Sequence, residues 1–214
     1  MFVENNNKHS FAQPFVPRVG VRVYAVKASM GMGKTTQLKN FIQQKPGASF
    51  LVVSSRISLI HALQEILSDF QHYSSRDWRA KRLIIQYESL HRVTKIYDYV
   101  ILDKVRSVVC QMTAIKTNAG NIRTNALVLR TLIREAKLTV CLDADLEVDN
   151  ACPYFLSNVV PDESIQVVRY KKTRLKSTLI ITKDEVSFIH RVKQPLCAGK
   201  KVAIGCQGKK RAMM

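Results

Sequence analysis

The sequence has few of the features that staple, anchor or export a chain. Its five cysteines, Cys110, Cys141, Cys152, Cys197 and Cys206, are scattered, odd in number and never set as Cys-x-x-Cys. That spacing argues against a disulfide framework and a zinc site, and points to a reducing, intracellular compartment. No apolar run approaches the roughly 20 residues that span a bilayer, so no membrane association is expected. The opening stretch "MFVENNNKHSFAQPF" is polar and lacks the apolar core of a secretory signal. Internal repeats and low-complexity tracts are absent. Acidic residues are scarce as well: 16 Asp plus Glu stand against 34 Lys plus Arg, a net charge of +18. Such an excess commonly marks a polyanion partner, nucleic acid before membrane; a solvated basic surface is the bland alternative. The imbalance is concentrated, with 13 Lys or Arg and only two acids, Asp184 and Glu185, between Gln166 and Met214.

What is present is a globular chain. The 214 residues, 46% hydrophobic, suffice for one sizeable core and the beginning of a second. Residues 1–18 read as an arm, with three consecutive asparagines and two prolines. From there strands alternate with helices. "VGVRVYAVKA" is a strand, "GKTTQLKNFIQQ" a helix, "ASFLVVSS" a buried strand and "ISLIHALQEILSDF" an amphipathic helix. "RLIIQY" and "YVILD" are strands, "VRSVVCQM" and "NALVLRTLIREA" helices, and "LTVCLD" a strand. Such alternation predicts parallel pairing through right-handed crossovers, hence an α/β sheet covered by helices on both faces. Residues 19–160 are assigned to this domain. "IQVVRY" and "STLIIT", a helix and "KVAIGC" are assigned to an incomplete second α/β domain over 161–214.

"KASMGMGKTTQ" carries the strongest chemical signal. Gly31 and Gly33 allow a tight turn that brings backbone N–H groups against phosphate oxygens, and a helix beginning near Lys34 adds its positive end. In such a P-loop, Ala28, Gly31, Met32, Gly33, Lys34, Thr35 and Thr36 surround the nucleotide, with Lys34 reaching the β- and γ-phosphates. Thr35 would ligate Mg2+, and Asp103, delivered by the strand "YVILD", is its expected partner on the metal. The competing readings are a chance Gly-Lys-Thr on a surface turn and a strand-end Asp103 that caps the next helix.

With these residues in place the sequence resembles the superfamily 2 helicases, and more closely the origin-of-replication-binding proteins known from herpesviruses. The resemblance runs from about Val23 onward. It rests on "KASMGMGKTTQ", "LVVSSRISL", "IIQYESLHR", "YDYVILDKVRS", "CLDADL" and "KKVAIGCQGKKRA" in that order. It implies a RecA-like sheet, ATP and Mg2+ as cofactors, and DNA as partner, either a single strand or an origin duplex, in the nucleus of a eukaryotic host. It further implies nucleic-acid contacts at Ser55, Arg56, Glu88, Ser89, Arg92, Lys209, Lys210 and Arg211. Asp143 and Asp145 stand where helicases couple nucleotide state to domain movement. Individually these residues have plainer readings, Arg56 and Arg92 as solvated charges and Glu88 and Asp143 as helix caps.

Two departures from the family pattern bear on catalysis. The family follows its magnesium aspartate with a glutamate that polarises the attacking water; here that residue is Lys104. A protonated lysine accepts no proton, and replacing −1 by +1 reverses the local field, where a unit-charge interaction at about 4 Å is on the order of 4 kcal/mol at an effective dielectric near 20. The family's arginine finger lies in the second motor domain, past Met214, and such a finger is worth about 10³–10⁵ in turnover. The expectation is a helicase-like chain that binds ATP and DNA but hydrolyses poorly. A nucleic-acid-binding module with a decayed ATP site is the alternative. A small P-loop kinase is a third, although neither a lid nor acceptor-site arginines are clear after Thr36.

Overall fold

Short, nearly continuous apolar runs build strands buried on both faces. The computed structural model describes residues 1–6, 15–118, 120–147, 149–170 and 184–199. The chain divides into two compact units, Met1–Thr173 and Arg174–Met214. The first unit opens with β1 (Phe2–Asn6), β2 (Val23–Ala28), α1 (Lys34–Gln43), β3 (Phe50–Ser54) and α2 (Ile57–Ile66). There follow β4 (Gln71–His72), β5 (Arg82–Gln86), β6 (Tyr99–Asp103), α3 (Val105–Gln111) and α4 (Ile115–Asn118). It ends with α5 (Ile122–Glu135), β7 (Leu138–Asp143), α6 (Ala151–Ser157) and β8 (Ile165–Tyr170). A short 3-10 segment, Tyr87–Arg92, continues β5. In the second unit the described helix is α7 (Glu185–Cys197), capped by the Asp184 carboxylate, which accepts from the Ser187 N–H at 2.7 Å.

The eight strands form one sheet in the order β1-β8-β2-β7-β6-β3-β5-β4, with every neighbouring pair parallel. Alternate residues of the central strands enter two different cores. Val23, Ala25, Leu51, Val53, Val100 and Leu102 face one, together with residues of α3, α5 and α6. Tyr24, Val26, Phe50, Val52 and Ile101 face the other, together with Leu38, Phe41 and Ile42 of α1 and Ile60 and Leu63 of α2. Ile101 is fully buried, so truncating it to Ala is expected to cost about 2–5 kcal/mol. The α/β parallel sheet with helices on both faces, read from the alternation, is therefore present. No helix of the described residues is long and apolar enough to cross a membrane.

Three expectations about organisation need correction. The arm is tied into the sheet, because β1 pairs with β8 and Phe15 is buried against Tyr24 and Phe41. Backbone pairing at a polar edge strand leaves no hydrophobic signature. The strand "IQVVRY" belongs to the first unit, between β1 and β2, and the chain divides after Thr173 rather than at residue 160. Local pattern cannot say which sheet a buried strand joins. The helix within "ISLIHALQEILSDF" stops at Ile66, although Leu67 and Phe70 remain buried beyond it. The expected strands "STLIIT" and "KVAIGC" lie outside the described residues.

Candidate nucleotide site and nucleic-acid surface

Parallel strands bring their carboxyl ends to one edge, the usual place for ligands in such sheets. Ala28, Ser54, Gln86, Asp103 and Asp143 close β2, β3, β5, β6 and β7 there. The turn after β2 uses left-handed backbone at Gly31 (φ 73°) and at Gly33 (φ 87°), which directly precedes α1. A built Cβ at either glycine would meet nothing within 4 Å, so the backbone conformation, rather than crowding, calls for glycine. Ala28 and Met32 are buried in the core that holds α1, so their side chains anchor the loop from below. Lys34 and Thr35 are half-buried at the start of α1, and Thr36 is exposed.

Lys34 Nζ folds back over the loop, donating to the Ala28 carbonyl at 2.5 Å and the Ser29 carbonyl at 3.0 Å. Burial lowers its pKa, opposed chiefly by Asp103 and then by Asp143. Asp103 shows the converse. Burial raises its pKa, Lys104 and Lys34 pull it down, and Asp143 pushes it up. Among the described residues Asp103 has no ion-pair partner within 4 Å, so Lys104 acts on it through the field and not as a salt bridge. Lys104 is exposed, and its backbone is left-handed (φ 54°, ψ 58°) as it leads into α3. A half-buried carboxylate with no ion pair within 4 Å among the described residues, at the same sheet edge as a half-buried hydroxyl and a lysine that donates to loop carbonyls, fits Mg2+ and phosphate. Mg2+ typically takes one or two protein carboxylates plus water and phosphate. Among the described residues no group of three or more His, Cys, Asp or Glu could hold a metal without such help.

Asp143 is buried, and both its oxygens accept backbone bonds, from the Arg106 N–H at 2.8 Å and the Asp145 N–H at 3.0 Å. It therefore caps α3, as its plainer reading held, while lying within electrostatic reach of Lys34 and Asp103. Asp145 is exposed.

The remaining expected residues lie along the same edge. Ser55 is buried after β3, and Arg56 is exposed at the start of α2. Glu88 and Ser89 are half-buried in the segment after β5. The Arg92 guanidinium lies 5.1 Å from the centre of the Trp78 ring, and its Nε donates to His91 Nε2 at 3.4 Å. Ser55, Arg56 and Arg106 border a groove of about 400 Å³. Lys209, Lys210 and Arg211 lie outside the described residues.

A family model described as origin of replication binding protein matches residues 3–203. The chain belongs to this family. Among curated relatives, the replication origin-binding protein of human herpesvirus 6A (strain Uganda-1102) is 30% identical over 223 residues, covering 96% of this chain and 28% of the relative. That of varicella-zoster virus (strain Dumas) is 41% identical over 104 residues, covering 42% of this chain and 12% of the relative. This origin-binding family member thus spans little more than a quarter of the length of the herpesvirus 6A protein. Of solved structures, a hypothetical ATP-dependent RNA helicase from Sulfolobus tokodaii superposes with a TM-score of 0.46 at 16% identity, covering 70% of this chain and 48% of that one.

Several residues that shape the edge were not identified from the sequence. Glu147 pairs with Lys27 of β2 at 3.0 Å and with Arg169 of β8, pinning the loop that carries Asp143 and Asp145. Arg169 and then Lys27 hold its carboxyl below the usual range. Gln111 and Asn125 bond to the turns holding Ser55 and Glu88, and Asn118 links the two. Polar residues on amphipathic helices carry no signal that separates an outward side chain from a buried amide.

Proposed function

We propose that this chain is the nucleotide-binding, helicase-type portion of an origin-binding protein. In this reading it binds ATP with Mg2+ at the Gly31–Thr36 loop and DNA along the turns after β3 and β5. Lys104 impairs hydrolysis. The observation that carries the reading is the half-buried Asp103 at the end of β6, which has no ion pair within 4 Å among the described residues and lies within electrostatic reach of Lys34, itself folded back onto the loop carbonyls. Lys34 would exchange the Ala28 and Ser29 carbonyls for phosphate oxygens, and the N–H groups opening α1 would add a field suited to negative charge. Thr35 and Asp103 would hold Mg2+, which neutralises charge on the β- and γ-phosphates when bound. Ser55, Arg56, Glu88, Ser89 and Arg92 would lie against the sugar-phosphate chain. The family's description, origin of replication binding protein, supports a replication origin as the DNA target, and the herpesvirus source of the relatives supports viral DNA in a host nucleus as its setting.

The water-activating position is where the reading becomes specific. Asp143 is a poor substitute base, since both oxygens already accept backbone bonds, and Asp145 is exposed. The chain is therefore proposed to retain nucleotide with little turnover. Titration with a fluorescent ATP analogue tests the first half: Lys34→Ala should abolish binding while the circular dichroism stays the same. Equal affinity in both proteins would refute it. Lys104 also favours the second reading, a nucleic-acid-binding module with a decayed ATP site. DNA binding in a chain that takes up no nucleotide would establish that reading instead.

A further inference from the structure

Beneath the two turns assigned to DNA lies a chain of side-chain amides. Gln111, the last residue of α3, donates from Nε2 to the Ser55 carbonyl at 2.9 Å and to Glu88 Oε1 at 3.0 Å. Both partners are acceptors, so the amide has one tenable orientation, with its NH2 group towards them. Asn118 and Asn125, both buried, extend the contact. Asn118 Nδ2 donates to the Gln111 carbonyl at 2.8 Å. Asn125 Nδ2 donates to Asn118 Oδ1 at 3.1 Å and to the Glu88 carbonyl at 3.0 Å, while its Oδ1 accepts from the His91 N–H at 2.7 Å. At its other end α3 is tied to Asp143 through the Arg106 N–H. One short helix thus begins at the acids of the nucleotide site and ends at the turns of the nucleic-acid surface.

This arrangement is not what a fold seeking stability alone would choose. Gln111 Oε1 and Ser55 Oγ are buried there with no hydrogen-bond partner among the described residues. An unsatisfied buried acceptor is a cost that an apolar side chain of equal length would avoid. The amide's distinctive contribution is that it grips two separate turns at once and fixes their relative placement.

We propose that Gln111 is a positioning residue for the nucleic-acid surface, setting the Ser55–Arg56 turn and the Glu88–Arg92 segment so that both meet one DNA strand. The inference rests on the strand surface proposed above. It names a residue that borders the same groove as Ser55 and Arg56 and acts through the turns that it holds, and it predicts a specific separation of effects. Gln111→Met keeps length and volume but removes both donors. Measured on the whole chain by fluorescence anisotropy with a labelled oligodeoxythymidine at fixed salt, it should weaken binding about tenfold. Affinity for a fluorescent ATP analogue should stay within about twofold, and the melting temperature should not fall by more than a few degrees.

A second pair of variants guards against a folding defect. Gln111→Glu sets a carboxylate against Glu88 and should weaken DNA binding further. Combining it with Glu88→Gln supplies a donor from the opposite side and should recover at least about threefold of the loss, a non-additivity expected only for groups in contact. Unchanged DNA affinity in Gln111→Met, or strict additivity in the swapped pair, overturns the inference alone. An unaltered chain that binds no oligonucleotide overturns the proposed surface and this inference with it.

Discussion

Two aspartates bracket β6 in the sequence "YDYVILD", and their surroundings are opposite. Asp98, at the amino end, accepts from the Ser49 N–H and the Ser49 hydroxyl, each at 2.8 Å, and pairs with Lys137 at 2.8 Å. Lys137 first, and then Ser49, hold its carboxyl well below the usual range. Asp103, at the carboxyl end, is pushed the other way by burial and has no ion-pair partner within 4 Å among the described residues. The amino edge is therefore electrostatically settled by the protein itself. The carboxyl edge is left open, and on the proposed reading a cation and phosphates would complete it. Strained or unsatisfied groups persist where function requires them.

The sharpest way to test that division is to restore the residue whose absence defines the open edge. Lys104→Glu replaces an exposed cation by a carboxylate next to Asp103. General-base assistance typically contributes about 10²–10⁴-fold, so phosphate release should rise by up to that factor from a near-zero baseline. Robust, DNA-stimulated release by the unaltered chain would place the base elsewhere and remove the special standing of position 104.

Next in size is an exchange between the two ends of the strand. Asp103→Asn should weaken magnesium-dependent binding of an ATP analogue on the order of 100-fold, the upper range for perturbed metal sites. The effect should vanish when magnesium is chelated. Asp98→Asn should leave that affinity unchanged. Equal losses from both would mean that Asp103 matters only through the fold. A smaller effect is expected from salt. If the turns after β3 and β5 contact a DNA strand, affinity should fall with salt by a slope of about −0.7 per phosphate contacted. Arg56→Ala or Arg92→Ala should each reduce that slope by about one contact's worth, and a salt-independent affinity would remove them from the surface.

The sequence reveals one end of β6 better than the other. The position of Asp103 was legible because an apolar run leads to it and strand direction puts it at the carboxyl edge of the sheet. Asp98 looked like any polar residue before a strand, since its partners are 49 residues upstream and 39 downstream at Ser49 and Lys137. The same limit explains the larger misses. Continuous apolar runs announced β2, β3, β5, β6 and β7, but β8's place beside β2 depends on pairing that no local pattern encodes. The polar edge strand β1 was invisible for the same reason. The turn at Gly31 and Gly33 could be read because its left-handed backbone demands glycine at fixed spacing. The amide chain through Gln111, Asn118 and Asn125 could not, because it joins α3, α4 and α5 through bonds that depend on how those helices pack.

The smallest expected effects are those on stability, and they carry opposite signs at the two ends. Asp98 has a depressed pKa in the folded protein. Its stabilising contribution is therefore complete above the unfolded value of about 3.9 and is lost as pH falls below it. Asp103 has a raised pKa. Across the interval between its unfolded and folded values the native state binds more protons, so stability declines as pH rises through it. Neutralising each residue should expose these signs directly. Asp98→Asn removes charge-assisted bonds that are partly exposed to solvent, and should cost about 1–2 kcal/mol at pH 7, fading toward zero below about pH 4. Asp103→Asn relieves a half-buried charge that has no ion pair within 4 Å among the described residues, and should leave the ligand-free protein as stable as before or slightly more so at pH 7. Thermal melts of both variants from pH 3 to 8, without nucleotide or magnesium, distinguish the two ends. A comparable loss of stability from Asp103→Asn at neutral pH would mean that its charge is answered within the fold, and the open edge would then have no electrostatic basis.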